Sequence, residues 1–148
     1  MNRYVNIGLS CIVAAFVGAA AADLSAQAQS AGGTTTTNLG TVNIPRAVKA
    51  DGQALAAGTY QIRVTETPAS PPAAGQTPQY ERWAEFLRGG KVVGREVVTV
   101  VPASDIKAVA EVTPPRPGGA RTEVLKGGDY LRLWLNRGGT HYLIHFNI

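Results

Sequence analysis

The chain has 148 residues, 45% of them hydrophobic and 16% charged, and a formal net charge of +4. Apart from Arg3, its lysines and arginines are scattered from Arg46 to Arg137 without a run, which argues against a nucleic-acid partner, because such binders gather their positive charge on one face. One cysteine, Cys11, excludes an internal disulfide and a zinc-thiolate cluster.

In chain order, Arg3 precedes an apolar run from Ile7 to Ala22 that carries no charge before Asp23. A basic start followed by an apolar stretch that decays into small residues is the outline of a secretory signal. The run is shorter than the roughly 20 residues a membrane-spanning helix needs, and of two small-x-small cleavage sites, Ala20-Ala21-Ala22 and Ala26-Gln27-Ala28, the second leaves the more usual polar spacer. Residues 1–28 are therefore expected to be a signal peptide, with the mature protein secreted or periplasmic and not inserted in a membrane. Cys11 lies inside the apolar run, not at its end, and Gly8 stands where a lipidation signal needs a large aliphatic residue. Cleavage without lipidation leaves about 120 residues, one domain in size and free of thiols.

Residues 29–38 are small and polar, with Thr34 to Thr37 in a row, and read as a flexible leader. A single domain is expected over residues 39–148. Leu39 to Ile44 is a short strand candidate, Pro45 breaks it, and Ala47 to Ala50 resumes it before the turn signal Asp51-Gly52. Tyr60, Ile62 and Val64 then alternate with Thr59, Gln61, Arg63 and Thr65, the period of a strand with one face in a core. The prolines at 68, 71, 72 and 78 predict an exposed loop over residues 67–78. Residues 80–88 and 91–101 read as two antiparallel strands joined at Gly89-Gly90, with a bend at Gly94. Residues 102–113 fit a short helix or an irregular crossover with Ser104 as its cap, while Ile106, Ala108, Ala110 and Val112 could equally line a strand. After a second proline-glycine loop, Arg121 to Lys126, Asp129 to Asn136 and Thr140 to Ile148 form a meander with turns at Gly127-Gly128 and Gly138-Gly139. Leu131, Leu133 and Leu135 mark one face of its middle strand, and Tyr142, Ile144, Phe146 and Ile148 one face of its last.

Many short strands between glycine turns predict an all-β fold, an immunoglobulin-like or transthyretin-like antiparallel β-sandwich of about seven to nine strands. The stretch from Val48 through Asp51-Gly52 to Ala57-Gly58-Thr59-Tyr60 and Ile62-Arg63-Val64 resembles the strand-turn-strand unit of small secreted bacterial β-sandwich proteins. Through them it is similar to carboxypeptidase-regulatory and transthyretin-like modules. A proline often stands in that group where this chain has Ala56. The resemblance covers one unit and implies a fold, not an activity.

No pattern that carries catalysis emerges, and neither a catalytic residue, a metal site nor a cofactor is expected. His141 and His145 share a strand face, but four residues along a strand span about 13 Å, too far for two nitrogens on one metal. The same spacing separates the backbones of Glu81 and Glu85 by more than the roughly 5–9.5 Å found between glycosidase carboxyls. No Gly-x-Ser-x-Gly or glycine-rich phosphate loop occurs. Tyr130, Arg132 and Trp134 share a parity opposite the leucine face and form the candidate ligand-stacking surface, flat rings with polar edges that suit a sugar. The expected function is a non-enzymatic binding or accessory module for a protein or glycan ligand. The alternative is a fibre or pilus-like subunit that self-assembles by strand addition through the Thr-rich segment.

Overall fold

The alternation read from the sequence becomes nine strands, all paired antiparallel, in a computed structural model that describes residues 34–69, 78–110 and 112–148. The expected signal segment, most of the leader and much of the first proline loop lie outside the described residues. The strands are β1 (Thr36–Ile44), β2 (Val48–Ala50), β3 (Gln53–Leu55), β4 (Gly58–Pro68), β5 (Glu81–Arg88), β6 (Lys91–Val101), β7 (Ala120–Val124), β8 (Tyr130–Arg137) and β9 (Thr140–Asn147). A one-turn helix, α1 (Ile106–Val109), follows β6.

Hydrogen bonding links β1, β4, β5, β6 and β9 in that order, and β9 pairs along its other edge with β8, which pairs with β7. Where β6 ends its pairing with β9 at Val98 opposite Ile144, the hairpin of β2 and β3 takes over that edge through Lys49 opposite Asn147. The all-β antiparallel fold is thus built as one continuous sheet that curls over its own apolar face.

Period two decides what that face holds. Val42 and Ile44 of β1, Tyr60, Ile62 and Val64 of β4, Ala84 and Phe86 of β5, Val98 of β6, Leu131, Leu133 and Leu135 of β8, and Ile144 and Phe146 of β9 all point into one buried core. Phe86 sits centrally, edge-on to Tyr60 at 6.2 Å and tilted against Phe146 at 5.4 Å, the offset geometries that aromatic pairs favour. Two-residue hairpins at Gly89-Gly90 and Gly138-Gly139 have φ of 57° and 76°, and 60° and 85°. These positive values match a tight turn whose twist follows that of its strands.

At the start of β4, Gly58 has φ 143°, and a Cβ there would lie 2.6 Å from Arg88 Nη2. Tyr60 turns its hydroxyl back to donate to the Ala56 carbonyl at 2.6 Å, and Arg88 stacks 4.5 Å above its ring. The glycine and tyrosine of Ala57-Gly58-Thr59-Tyr60 therefore serve the backbone.

Several boundaries differ from the sequence reading. β1 begins at Thr36, inside the expected leader, because Thr36 and Thr37 pair with Thr65 and Val64 of β4. β4 runs on through Thr67 to Pro68, opposite Arg82 after an irregularity in register, a position where proline is tolerated. The helix is capped at Asp105 without a side-chain hydrogen bond, and Ser104 donates to the Asp105 carboxylate instead.

The edge strand β1 is blunted. β1 is bulged between Asn38 and Gly40, with Gly40 at φ 86° and its N–H donating to Asn38 Oδ1 at 2.7 Å. Such a bulge twists an edge away from further pairing. Arg137 closes the seam beside it: Nε donates to the Leu39 carbonyl at 2.7 Å, and Nη1 to the carbonyls of Gly119 at 2.8 Å and Asn136 at 3.1 Å.

Candidate binding site

At one end of the curl the inward rows change character. Continuing the parity of Tyr60, Ile62 and Val64 on β4 leads to Glu66, exposed at the rim; that of Phe86 and Ala84 on β5 leads to the half-buried Arg82, and that of Phe146 and Ile144 on β9 to the half-buried Tyr142. On β1, Thr37 lies opposite Val64. These residues, with Thr65, Val100, Pro102, Gln79 and Tyr80, line a pocket of about 250 Å³. The 3₁₀ turn Pro78–Tyr80 brings Gln79 and Tyr80 to its rim.

The chemistry follows from those positions. Arg82 Nη1 donates to the carbonyls of Gln79 at 3.1 Å and Glu81 at 2.7 Å, which fixes the guanidinium. None of the four ion pairs among the described residues includes it. Burial and, secondarily, the Glu66 charge raise the Tyr142 pKa above the usual phenol value, so its hydroxyl stays a donor. Val64 and Val100 supply apolar wall. The volume is below the roughly 300–1,000 Å³ of sites for drug-sized ligands, so the pocket suits one ring or one side chain of a larger ligand.

The stacking surface expected from Tyr130, Arg132 and Trp134 does not form. Tyr130 is 47% exposed, but Trp134 is fully buried. The chain after β6 folds across the outer face of the sheet, and Val101, Ile106 of α1 and Leu143 pack with Trp134 in a second small core. Arg132 lies 5.2 Å from the indole centroid and is paired with Glu123, Nε to Oε1 at 2.8 Å. The ring has no face left for a ligand.

His141, on the strand face it shares with His145, packs beside this second core. It is 4% exposed, and its Nδ1 accepts a 3.1 Å hydrogen bond from the Trp134 indole N–H. That bond assigns the neutral tautomer with the proton on Nε2, and burial lowers its pKa. His145 is exposed on the same side, opposite Arg132; partial burial and then the arginine charge lower its pKa, against an opposing effect of Glu123.

The two glutamates of β5 also part company. Glu85 pairs with Arg63, Oε2 to Nε at 2.5 Å, whereas Glu81 is 1% exposed with Oε2 unpartnered, and burial raises its pKa. Among the described residues no group of three or more histidines, cysteines, aspartates or glutamates is placed to hold a metal ion.

The sequence reading does not bring the pocket residues together: Thr37 falls in the expected leader, Pro102 in the crossover, and Arg82, Val100 and Tyr142 in separate strands. Their signal is a charged or phenolic residue continuing an apolar row, visible as Arg82 after Ala84 and Phe86 and as Glu66 after Ile62 and Val64. Comparison with protein-family models, with curated proteins and with solved structures returned no match.

Proposed function

We propose that the mature protein is a non-enzymatic binding module, secreted or periplasmic, that holds one group of a protein or glycan ligand in the mouth pocket. The observation that carries this reading is the set Thr37, Glu66, Arg82 and Tyr142 at the ends of otherwise apolar inward rows. Mouths of curled sheets and barrels are favoured ligand sites. A half-buried arginine held on backbone carbonyls is a recognition group ready to meet an acceptor. The secretory outline of residues 1–28 and the resemblance of the unit around Gly58 and Tyr60 support the compartment.

Self-assembly through the Thr-rich segment would require β1 to leave β4, with which it pairs from Thr36 to Ile44. That in-chain pairing and the bulge at Gly40 speak for the binding module over the fibre subunit.

The test is to probe the purified protein against glycan and peptide arrays, and then to repeat the best ligands with Arg82→Gln and with Tyr130→Ala. Affinity lost in the first and kept in the second is expected. Affinity lost only in the second would move the site to the opposite face, and no ligand in either array would sink the reading.

A further inference from the structure

We infer that the mouth pocket takes an acidic sugar, a uronic-acid ring whose carboxylate meets Arg82 while its hydroxyls meet Glu66, Gln79 and the threonines; this rests on the binding-module reading above.

The argument begins with charge. Arg82 is held by two backbone carbonyls through one nitrogen, and no carboxylate among the described residues pairs with it. The walls around it include Val64 and Val100, and electrostatic attraction strengthens where such apolar surface excludes water. A fixed guanidinium in that setting selects an anion, and a planar carboxylate matches its fork.

The surrounding groups narrow the anion. Glu66 lines the same space, so a sulfate, which has no hydrogen to donate, would meet Arg82 but not Glu66, whereas a ligand that carries hydroxyls beside its anion can meet both. A simple fatty acid would meet Arg82 but offer no hydroxyl to Glu66, Gln79 and Thr37, which stand exposed at the rim. A uronic acid carries one carboxylate and several hydroxyls, each of which can donate to Glu66 or to the Gln79 side-chain oxygen and accept from Tyr142, which remains protonated. Tyr80 at the rim is 37% exposed, and a phenol face of this kind packs against the C–H face of a sugar ring. An acidic side chain of a peptide supplies the carboxylate but few donors for Glu66, so the glycan is favoured. At about 250 Å³ the pocket accommodates one residue of a chain, with the rest of the glycan outside.

Titration of the full-length secreted protein with trigalacturonate and triglucuronate, followed by amide chemical shifts, tests this. The controls are galactose oligomers and a triglutamate peptide. The uronates are expected to shift Thr37, Glu66, Arg82, Val100 and Tyr142, the neutral sugars to bind at least about tenfold more weakly, and Arg82→Gln to cost about tenfold or more, the loss of one charge-assisted contact. Arg82→Lys, which keeps the charge but loses the fork, is expected to fall between, and it replaces Arg82→Gln should that variant not fold. Equal binding of neutral and acidic sugars, or a peptide that occupies the pocket where uronates do not, would overturn the acidic-sugar assignment and leave the binding module standing. A pocket that neither class perturbs, together with no array ligand sensitive to Arg82, would remove both.

Discussion

Arg137→Ala tests how the curled sheet is closed. The guanidinium joins the Leu39 carbonyl at the bulge of β1 to the Gly119 and Asn136 carbonyls on the other side of the seam. Hydrogen bonds to charged groups contribute about 1.5–3 kcal/mol each when buried. Two of the acceptors here regain water once the side chain is gone, so the net loss is set at about 2–4 kcal/mol in all. Against the roughly 5–15 kcal/mol of a typical domain that is a large fraction, and it falls on β1 first, because β1 has only β4 as a backbone partner. Urea denaturation gives the global loss, and amide hydrogen exchange gives its location. Faster exchange is expected from Asn38 to Val42, with the β8 and β9 amides changed only in step with global stability. Arg137→Lys, which cannot reach both sides at once, should recover less than half. A variant within about 0.5 kcal/mol of the parent, the range of an ordinary surface change, and with unchanged β1 exchange would refute the seam argument.

Acid should weaken the second core. The folded-state pKa of His141 is lowered by burial from 6.5, so its stabilising effect is complete above the ordinary histidine range and is lost as pH falls through it toward the folded value; chemical denaturation between pH 8 and 5 should show this slope, reduced in His141→Gln. Glu81→Gln should stabilise the protein by about 1–3 kcal/mol at pH 7, because an unpartnered buried carboxylate is replaced by a neutral amide. Its folded pKa is raised from 4.5, so the parent loses stability as pH rises above that value and the gain should vanish at pH 3.5; an equal gain at both pH values would contradict the assignment. Gly58→Ala should cost about 1–3 kcal/mol through its positive φ, and adding Arg88→Ala should restore little, since the contacting atom is the end of a flexible side chain; full rescue in the double variant would place the cost in the clash.

Period two was enough to read the inner face of the sheet. Leu131, Leu133 and Leu135 alternate with larger or polar residues, Tyr142 to Phe146 repeats the pattern, and the glycine pairs fall where two-residue hairpins need positive φ. What period two cannot show is cover. Trp134 sits on the outward parity of β8 and is buried only because the segment carrying Ile106 crosses that face, a contact made far from it in sequence. The mouth pocket was hidden for a related reason: Arg82, Glu66 and Tyr142 lie on three strands whose adjacency requires the order β4, β5, β6, β9, and no local spacing encodes that order. The bulge at Leu39 was likewise invisible, since Gly40 reads as an ordinary strand residue until its φ of 86° is seen.

Mapping the bound ligand on the protein is the most direct test of the central claim. With the strongest array ligand and isotope-labelled protein, the largest amide shifts and intermolecular contacts are predicted at Thr37, Glu66, Arg82, Val100 and Tyr142, with Tyr130 and its neighbours unchanged. A footprint centred on Tyr130 and Arg132 with a silent mouth would contradict it.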